Sequence, residues 1–276
     1  MNVLKPANRI VLLGASNLTL SLQLIIQLIQ QHCGGPSEVF VAAGHGRSYG
    51  QNSRVLVREL PGIVQCGLWR QLHSVNTESM LPTYAFLTDV GNDIPYEADP
   101  DKILNWVTWC VDRLKMHDAR IVMTNLPIAS IESLSEIRYN LLRKVMFPSC
   151  SLTRNEVVMR ARMVHQGLID LAARRQLAIS ELDPGLMSFD GIHVAYWKRP
   201  VFYRQLLRQF ELFEKRDPRS DMELNHNKVA SSSQRDRFFL SWQRRPCFAV
   251  RRIFGKIERR QQPSGFFKDQ TTVSLY

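Results

Sequence analysis

The 276-residue chain has few of the features that staple small folds or span membranes. Its five cysteines, Cys33, Cys66, Cys110, Cys150 and Cys247, are an odd number, lie far apart and include no C-x-x-C pair. That spacing argues against a disulfide framework and a cysteine zinc site, and fits a reducing compartment. The longest apolar run, 18–29, is broken by Ser21, Gln23 and Gln27 and is too short to cross a bilayer. The first nine residues lead into a strand-like run without the basic start, long apolar stretch and cleavage site of a signal peptide. Together these absences predict a soluble, cytoplasmic protein. His32, His73, His117, His165 and His226 show no metal-ligand spacing, and no metal is expected.

Acidic residues are also in short supply, with 25 Asp and Glu against 36 Lys and Arg, a net charge of +11. Such an excess favours polyanionic partners where it is clustered. The first 215 residues hold 23 basic and 19 acidic residues, whereas 216–276 hold 13 and 6, so most of the excess lies late in the chain. There, 216–221 and 229–234 are polar as a linker is, and 237–260 interleaves aromatic residues with Arg and Lys. Residues 216–276 are therefore expected to be a basic tail, disordered or loosely docked, open to contact with nucleic acid or an anionic membrane. Hydrophobic residues make up 45% of the chain, which excludes wholesale disorder and leaves room for one large α/β domain over 1–215.

Within that domain, short apolar runs at 9–14, 38–43, 83–88, 120–125 and 177–181 read as strands. Helical patterns are predicted at 18–31, 52–60, 100–117, 131–146, 154–175 and 197–215. The alternation predicts a parallel sheet covered by helices on both faces, with ligands bound beyond the carboxyl ends of the strands.

Four motifs stand at those ends. Gly14-Ala15-Ser16-Asn17 joins the first strand to the first helix, where a serine either caps the helix or meets free N–H groups that favour a developing oxyanion. The glycines of Gly44-His45-Gly46-Arg47-Ser48-Tyr49-Gly50 can present backbone N–H groups to an anion. A dinucleotide-binding reading of that loop lacks the acidic residue required roughly 20 positions later. His45, Arg47 and Tyr49 are either substrate contacts or anchors of the loop. Asn92, in Val90-Gly91-Asn92-Asp93, is a neutral donor or part of a plain turn. Asp190-Gly191-Ile192-His193 allows a carboxylate to orient an imidazole on one turn.

Taken together these motifs resemble the SGNH, or GDSL-type, hydrolase superfamily over about the first 215 residues. The resemblance implies a flavodoxin-like, three-layer α/β/α sandwich and ester hydrolysis without a cofactor. It implies Ser16 as nucleophile, His193 as general base and Asp190 as its orienting partner, with Asn92 and one glycine of the 44–50 loop, Gly46 before Gly44 or Gly50, as oxyanion donors. Ala15 stands where the family has an acid, and Val90 where it has a glycine. These departures leave open a catalytically silent binding module, and acyl transfer to an acceptor other than water uses the same residues.

Overall fold

In the computed structural model, which describes residues 5–75, 81–210 and 242–276, the first apolar run forms β1 (Asn8–Leu13). All 6 of its residues are buried, because alternate side chains point to opposite faces and both faces are covered. α1 (Ser16–Cys33) follows, with Leu18, Ile25, Ile26 and Ile29 buried at helical spacing. β2 (Ser37–Ala42) lies parallel to β1, and β3 (Ser53–Val55) with β4 (Arg58–Leu60) forms an antiparallel hairpin. α2 (Leu68–Val75), β5 (Thr83–Leu87), α3 (Pro100–Lys115) and β6 (Arg120–Thr124) come next. They are followed by α4 (Ile128–Glu132), α5 (Glu136–Met146), α6 (Arg154–Arg175), β7 (Ala178–Ser180) and α7 (Arg199–Leu207). The last described segment holds β8 (Trp242–Arg244), β9 (Val250–Ile253), β10 (Lys256–Arg259), β11 (Gly265–Phe267) and β12 (Thr272–Leu275).

The larger sheet has 8 strands in the order β7-β6-β5-β1-β2-β12-β11-β8. Neighbours from β7 to β12 run parallel, and β11 and β8 are antiparallel additions. α2, α3 and α6 pack on Val11, Leu13, Ala85 and Leu87, while α1 and α7 pack on Ile10, Leu12, Tyr84 and Phe86. The result is the three-layer α/β/α sandwich expected. Counted without the small hairpin, β2, β1, β5, β6 and β7 follow the flavodoxin-like order, which places the topological switch between β1 and β5.

Three expectations are corrected. Residues 52–60 form the β3–β4 hairpin and not a helix, because β4 pairs with β9 (Arg58 opposite Ile253), a partner far along the chain. The helix expected over 131–146 is two helices, since Ser135 caps α5 by accepting from the Arg138 amide. The helix expected over 197–215 begins with a 3-10 turn (Tyr196–Lys198), and α7 ends at Leu207; 211–215 lie outside the described residues.

The basic tail is the larger correction. Residues 216–241, with both linker-like stretches, lie outside the described residues, but 242–276 are not loosely docked. β12 covers the open edge of β2 with parallel pairing (Leu275 opposite Val41), and β9 and β10 complete a 4-stranded sheet with β4 and β3. Phe267 and Val273 are buried against α1, and Trp242 stacks on Phe267. Part of the charge expected to face a polyanion is used inside the fold: Arg251 pairs with Glu258 and Arg252 with Glu59. Among the described residues no helix is long and apolar enough to cross a membrane.

Candidate active site

The turn from β1 into α1 is held from three sides. The Gly14 amide donates to Ala42 O at 3.1 Å, and a Cβ on Gly14 would stand 2.6 Å from the Thr88 methyl, so this position admits no side chain. Asp89, two residues past the end of β5, accepts from the Ala15 amide at 2.8 Å, the Leu18 amide at 3.4 Å and Asn17 Nδ2 at 2.9 Å. Its carboxylate thus satisfies N–H groups at the start of α1 and complements the positive end of the helix dipole. Asp89 holds φ at +62°, the left-handed conformation that short polar side chains tolerate best. Although Ala15 lacks a carboxylate, Asp89 supplies one to the same turn from a neighbouring strand. Among the described residues the Ser16 amide donates to no protein acceptor.

Asp190 and His193 meet Ser16 from the far end of the domain. Gly191, at φ +74°, makes the turn between them. Asp190 Oδ1 accepts from Ser188 Oγ at 2.7 Å and from the amides of His193 and Ile192 at 2.9 and 3.0 Å, while Oδ2 faces His193 Nδ1 at 2.7 Å. Burial works against the charged carboxylate, yet the hydrogen bonds from His193, Ser188 and the two amides prevail and hold its pKa far below the usual range. An ionised carboxylate only accepts, so the proton of the neutral imidazole sits on Nδ1 and Nε2 is left as the base. Nε2 lies 2.7 Å from Ser16 Oγ. The structure therefore brings the three predicted residues into one hydrogen-bonded chain.

Asn17 fixes their relative positions. Its Nδ2 donates to Ile192 O at 3.0 Å, its Oδ1 accepts from the Val194 amide at 2.9 Å, and its own carbonyl accepts from Tyr203 Oη at 3.2 Å. In the sequence this residue reads only as a helix cap.

Asn92 and the glycine loop flank the serine turn. Asn92 Nδ2 donates one hydrogen to Arg47 O at 3.0 Å, which leaves its second N–H uncommitted. The Gly50 amide donates to Ser48 Oγ, whereas the Gly46 amide donates to no protein acceptor among the described residues. Gly46 holds φ at +66°, and a Cβ there would stand 2.5 Å from Val55 Cγ2. Its carbonyl accepts from Tyr96 Oη at 2.6 Å. Beneath the loop, fully buried Asp93 accepts from Ser48 Oγ and, at 2.8 Å, from the Tyr49 amide. Burial raises the Asp93 pKa to about 6 against the opposing hydrogen bonds from Ser48, Tyr49 and Gly50. Arg47 and Tyr49 are fully buried and serve as anchors. Arg47 donates to Pro61 O, Ala43 O and Tyr276 O, and Tyr49 Oη donates to Thr88 O. His45 stays accessible to solvent.

Beside Asn92 and Asp190 opens a cavity of about 130 Å³ whose wall is largely apolar, with Ile94, Leu134, Phe147 and Ile192 among its residues. Among the described residues no group of three or more His, Cys, Asp or Glu is placed to hold a metal ion.

No family model and no curated protein sequence matches the chain. Solved structures do. Est24, a carbohydrate acetylesterase from Sinorhizobium meliloti, is 12% identical over 75% of this chain and 100% of its own, with a TM-score of 0.49. An aryl esterase of M. Smegmatis in inhibitor-bound form is 15% identical over 75% and 99%, TM-score 0.47. A member of the lipolytic protein G-D-S-L family from Veillonella parvula is 11% identical over 75% and 98%, TM-score 0.43. The chain is similar to each of these along most of its described course.

Proposed function

We propose that the protein hydrolyses ester bonds through an acyl-enzyme on Ser16. The observation that carries this reading is the continuous relay from Ser16 Oγ to His193 Nε2 and from His193 Nδ1 to Asp190, with both contacts at 2.7 Å.

As Ser16 Oγ attacks the ester carbonyl, His193 Nε2 takes its proton, and the ionised Asp190 stabilises the imidazolium that forms. The carbonyl oxygen, now an anion, is held by the uncommitted amides of Ser16 and Gly46 and the second N–H of Asn92. Collapse of the tetrahedral adduct breaks the bond to the alcohol, which leaves with the proton that His193 returns. Water, deprotonated by the same imidazole, then releases the acid and restores Ser16. The assembled relay favours this reading over a silent binding module, which has no need to align an imidazole with a serine.

The cavity beside Asn92 is where the acyl group fits. An apolar cavity of ~150 Å³ accepts a benzene-sized guest, so the volume of about 130 Å³ suits a short acyl chain.

An active-site-directed fluorophosphonate tests the proposal. It is expected to label Ser16 in the full chain, and Ser16→Ala is expected to remove both labelling and turnover of para-nitrophenyl butyrate while the circular dichroism spectrum is unchanged. Full activity in Ser16→Ala would remove the serine from the mechanism.

A further inference from the structure

The wall of the site away from the apolar cavity is cationic. Strand order sets β5 and β2 on opposite sides of β1, so Asn92 and its cavity follow β5, whereas His45 and Gly46 follow β2. Against this second loop lies Arg58, the first residue of β4. Its guanidinium is half-buried, rests 5.2 Å from the centroid of the Phe248 ring and donates through Nη2 to His45 O at 3.4 Å. Phe248 itself packs under the loop, where a Cβ on Gly44 would stand 3.7 Å from the ring. Arg58 is thus docked on the segment that leads to the proposed oxyanion donor.

Its charge is not neutralised by a carboxylate among the described residues. Neighbouring Arg251 and Arg252 pair with Glu258 at 2.7 Å and Glu59 at 3.0 Å, but Arg58 pairs with no carboxylate among the described residues. The carbonyl that Arg58 meets belongs to His45, the residue before Gly46, so the guanidinium stands one residue from the proposed oxyanion donor. A guanidinium seated over an aromatic ring offers a planar fork of N–H donors suited to two oxygens of a carboxylate or a phosphate.

We propose that Arg58 binds an anionic group, a carboxylate or phosphate, on the alcohol portion of the substrate while the acyl portion fills the cavity beside Asn92. This rests on Ser16 being the nucleophile of an ester hydrolase. The preferred substrates are then short-chain esters of acidic alcohols, with charge on one side of the scissile bond and apolar surface on the other.

The test compares para-nitrophenyl butyrate, its ring-carboxylated counterpart and butyryl glycerol phosphate on wild type, Arg58→Gln, Arg58→Lys and Arg54→Gln. Wild type is expected to favour the charged esters by roughly tenfold or more in kcat/KM at low salt, with the preference narrowing as salt rises. Arg58→Gln is expected to erase that preference, chiefly through KM. Arg58→Lys retains part of it, and Arg54→Gln on the same hairpin retains it in full. A preference confined to one charged ester supports the proposal and identifies the anion. Equal use of neutral and charged esters by wild type, a preference that survives Arg58→Gln, or an equal loss on all esters in Arg58→Gln overturns it. In each of those cases turnover of the neutral butyrate still upholds Ser16. Failure of every ester together with unlabelled Ser16 overturns the hydrolase reading and this proposal with it.

Discussion

Asn17 Nδ2 donates to Ile192 O at 3.0 Å across 175 residues of sequence, and the Val194 amide donates back to Asn17 Oδ1 at 2.9 Å. These two bonds join the helix start that carries Ser16 to the loop that carries His193. The Ser16–His193 contact is therefore set by a buried clasp next to it.

Breaking the clasp should separate positioning from binding. Asn17→Ala leaves buried partners on Ile192, Val194 and Asp89 unsatisfied and is expected to destabilise the fold by about 1–3 kcal/mol. On a neutral ester it should lower kcat by roughly tenfold to a hundredfold with little change in KM, because the relay loosens while the pocket remains. Steady-state kinetics beside a thermal melt decide the matter, and an unchanged kcat would show that the clasp does not set the geometry.

Asp190→Asn replaces an acceptor that fixes the imidazole proton on Nδ1. If the Ser16 relay acts as proposed, a fall in kcat of about a thousandfold or more is expected, as for serine hydrolases that lose this carboxylate. The same carboxylate has a signature in stability. Its folded pKa lies far below the usual value, so its contribution is present above the unfolded pKa and is lost as pH falls toward the folded one. Urea midpoints should therefore drop more steeply for wild type than for Asp190→Asn between about pH 5 and about pH 3.

Asp93 should show the opposite sign. Its folded pKa of about 6 exceeds the unfolded value, so its protonated form is favoured by folding, and stability falls as pH rises between the two values. The difference of about two units corresponds to about 3 kcal/mol. Measured by urea unfolding, wild type should lose about that much relative to Asp93→Asn between about pH 4 and about pH 7. Parallel pH profiles would show that this carboxyl titrates normally.

Deleting 242–276 tests the status of the late basic segment. The deletion uncovers the edge of β2, removes Phe267 and Val273 from the packing on α1, and takes Phe248 and the Tyr276 carbonyl from beneath the 44–50 loop. An exposed edge strand invites association, so the shortened chain should melt lower, aggregate and lose the ester turnover proposed for the full chain. A shortened chain that stays monomeric, stable and active would make the segment dispensable.

The sequence is most legible where structure is local. The strands at 83–88 and 120–125 and the helices at 100–117 and 154–175 match β5, β6, α3 and α6 within a residue or two at each end. Thr153 and Glu156 explain the sharp start of α6, for the Thr153 amide donates to Glu156 Oε2 at 2.7 Å and the Glu156 amide returns a bond to Thr153 Oγ1 at 3.3 Å. Ser16 and Asn92 stand out in the sequence because each follows a strand, and Asp190 and His193 because their three-residue spacing suits one turn. Asp89 was missed: it reads as one more turn residue, and only the adjacency of β1 and β5 turns its carboxylate toward Ala15 and Asn17. Arg58 was hidden by a helical reading of 52–60, since the strand it opens is completed by β9.

By itself the sequence determined the layers and the edge on which chemistry can occur. Short β-branched runs alternating with amphipathic helices bury both faces of a parallel sheet, and this depends on nearest neighbours and periodicity alone. Tertiary structure alone decided that His193 stands in hydrogen-bonding contact with Ser16, that Asp89 holds the serine turn, and that the basic end of the chain forms sheet edges. Each of these is a pairing between residues far apart in the chain, and local propensity carries no record of which distant edge or side chain a segment will meet.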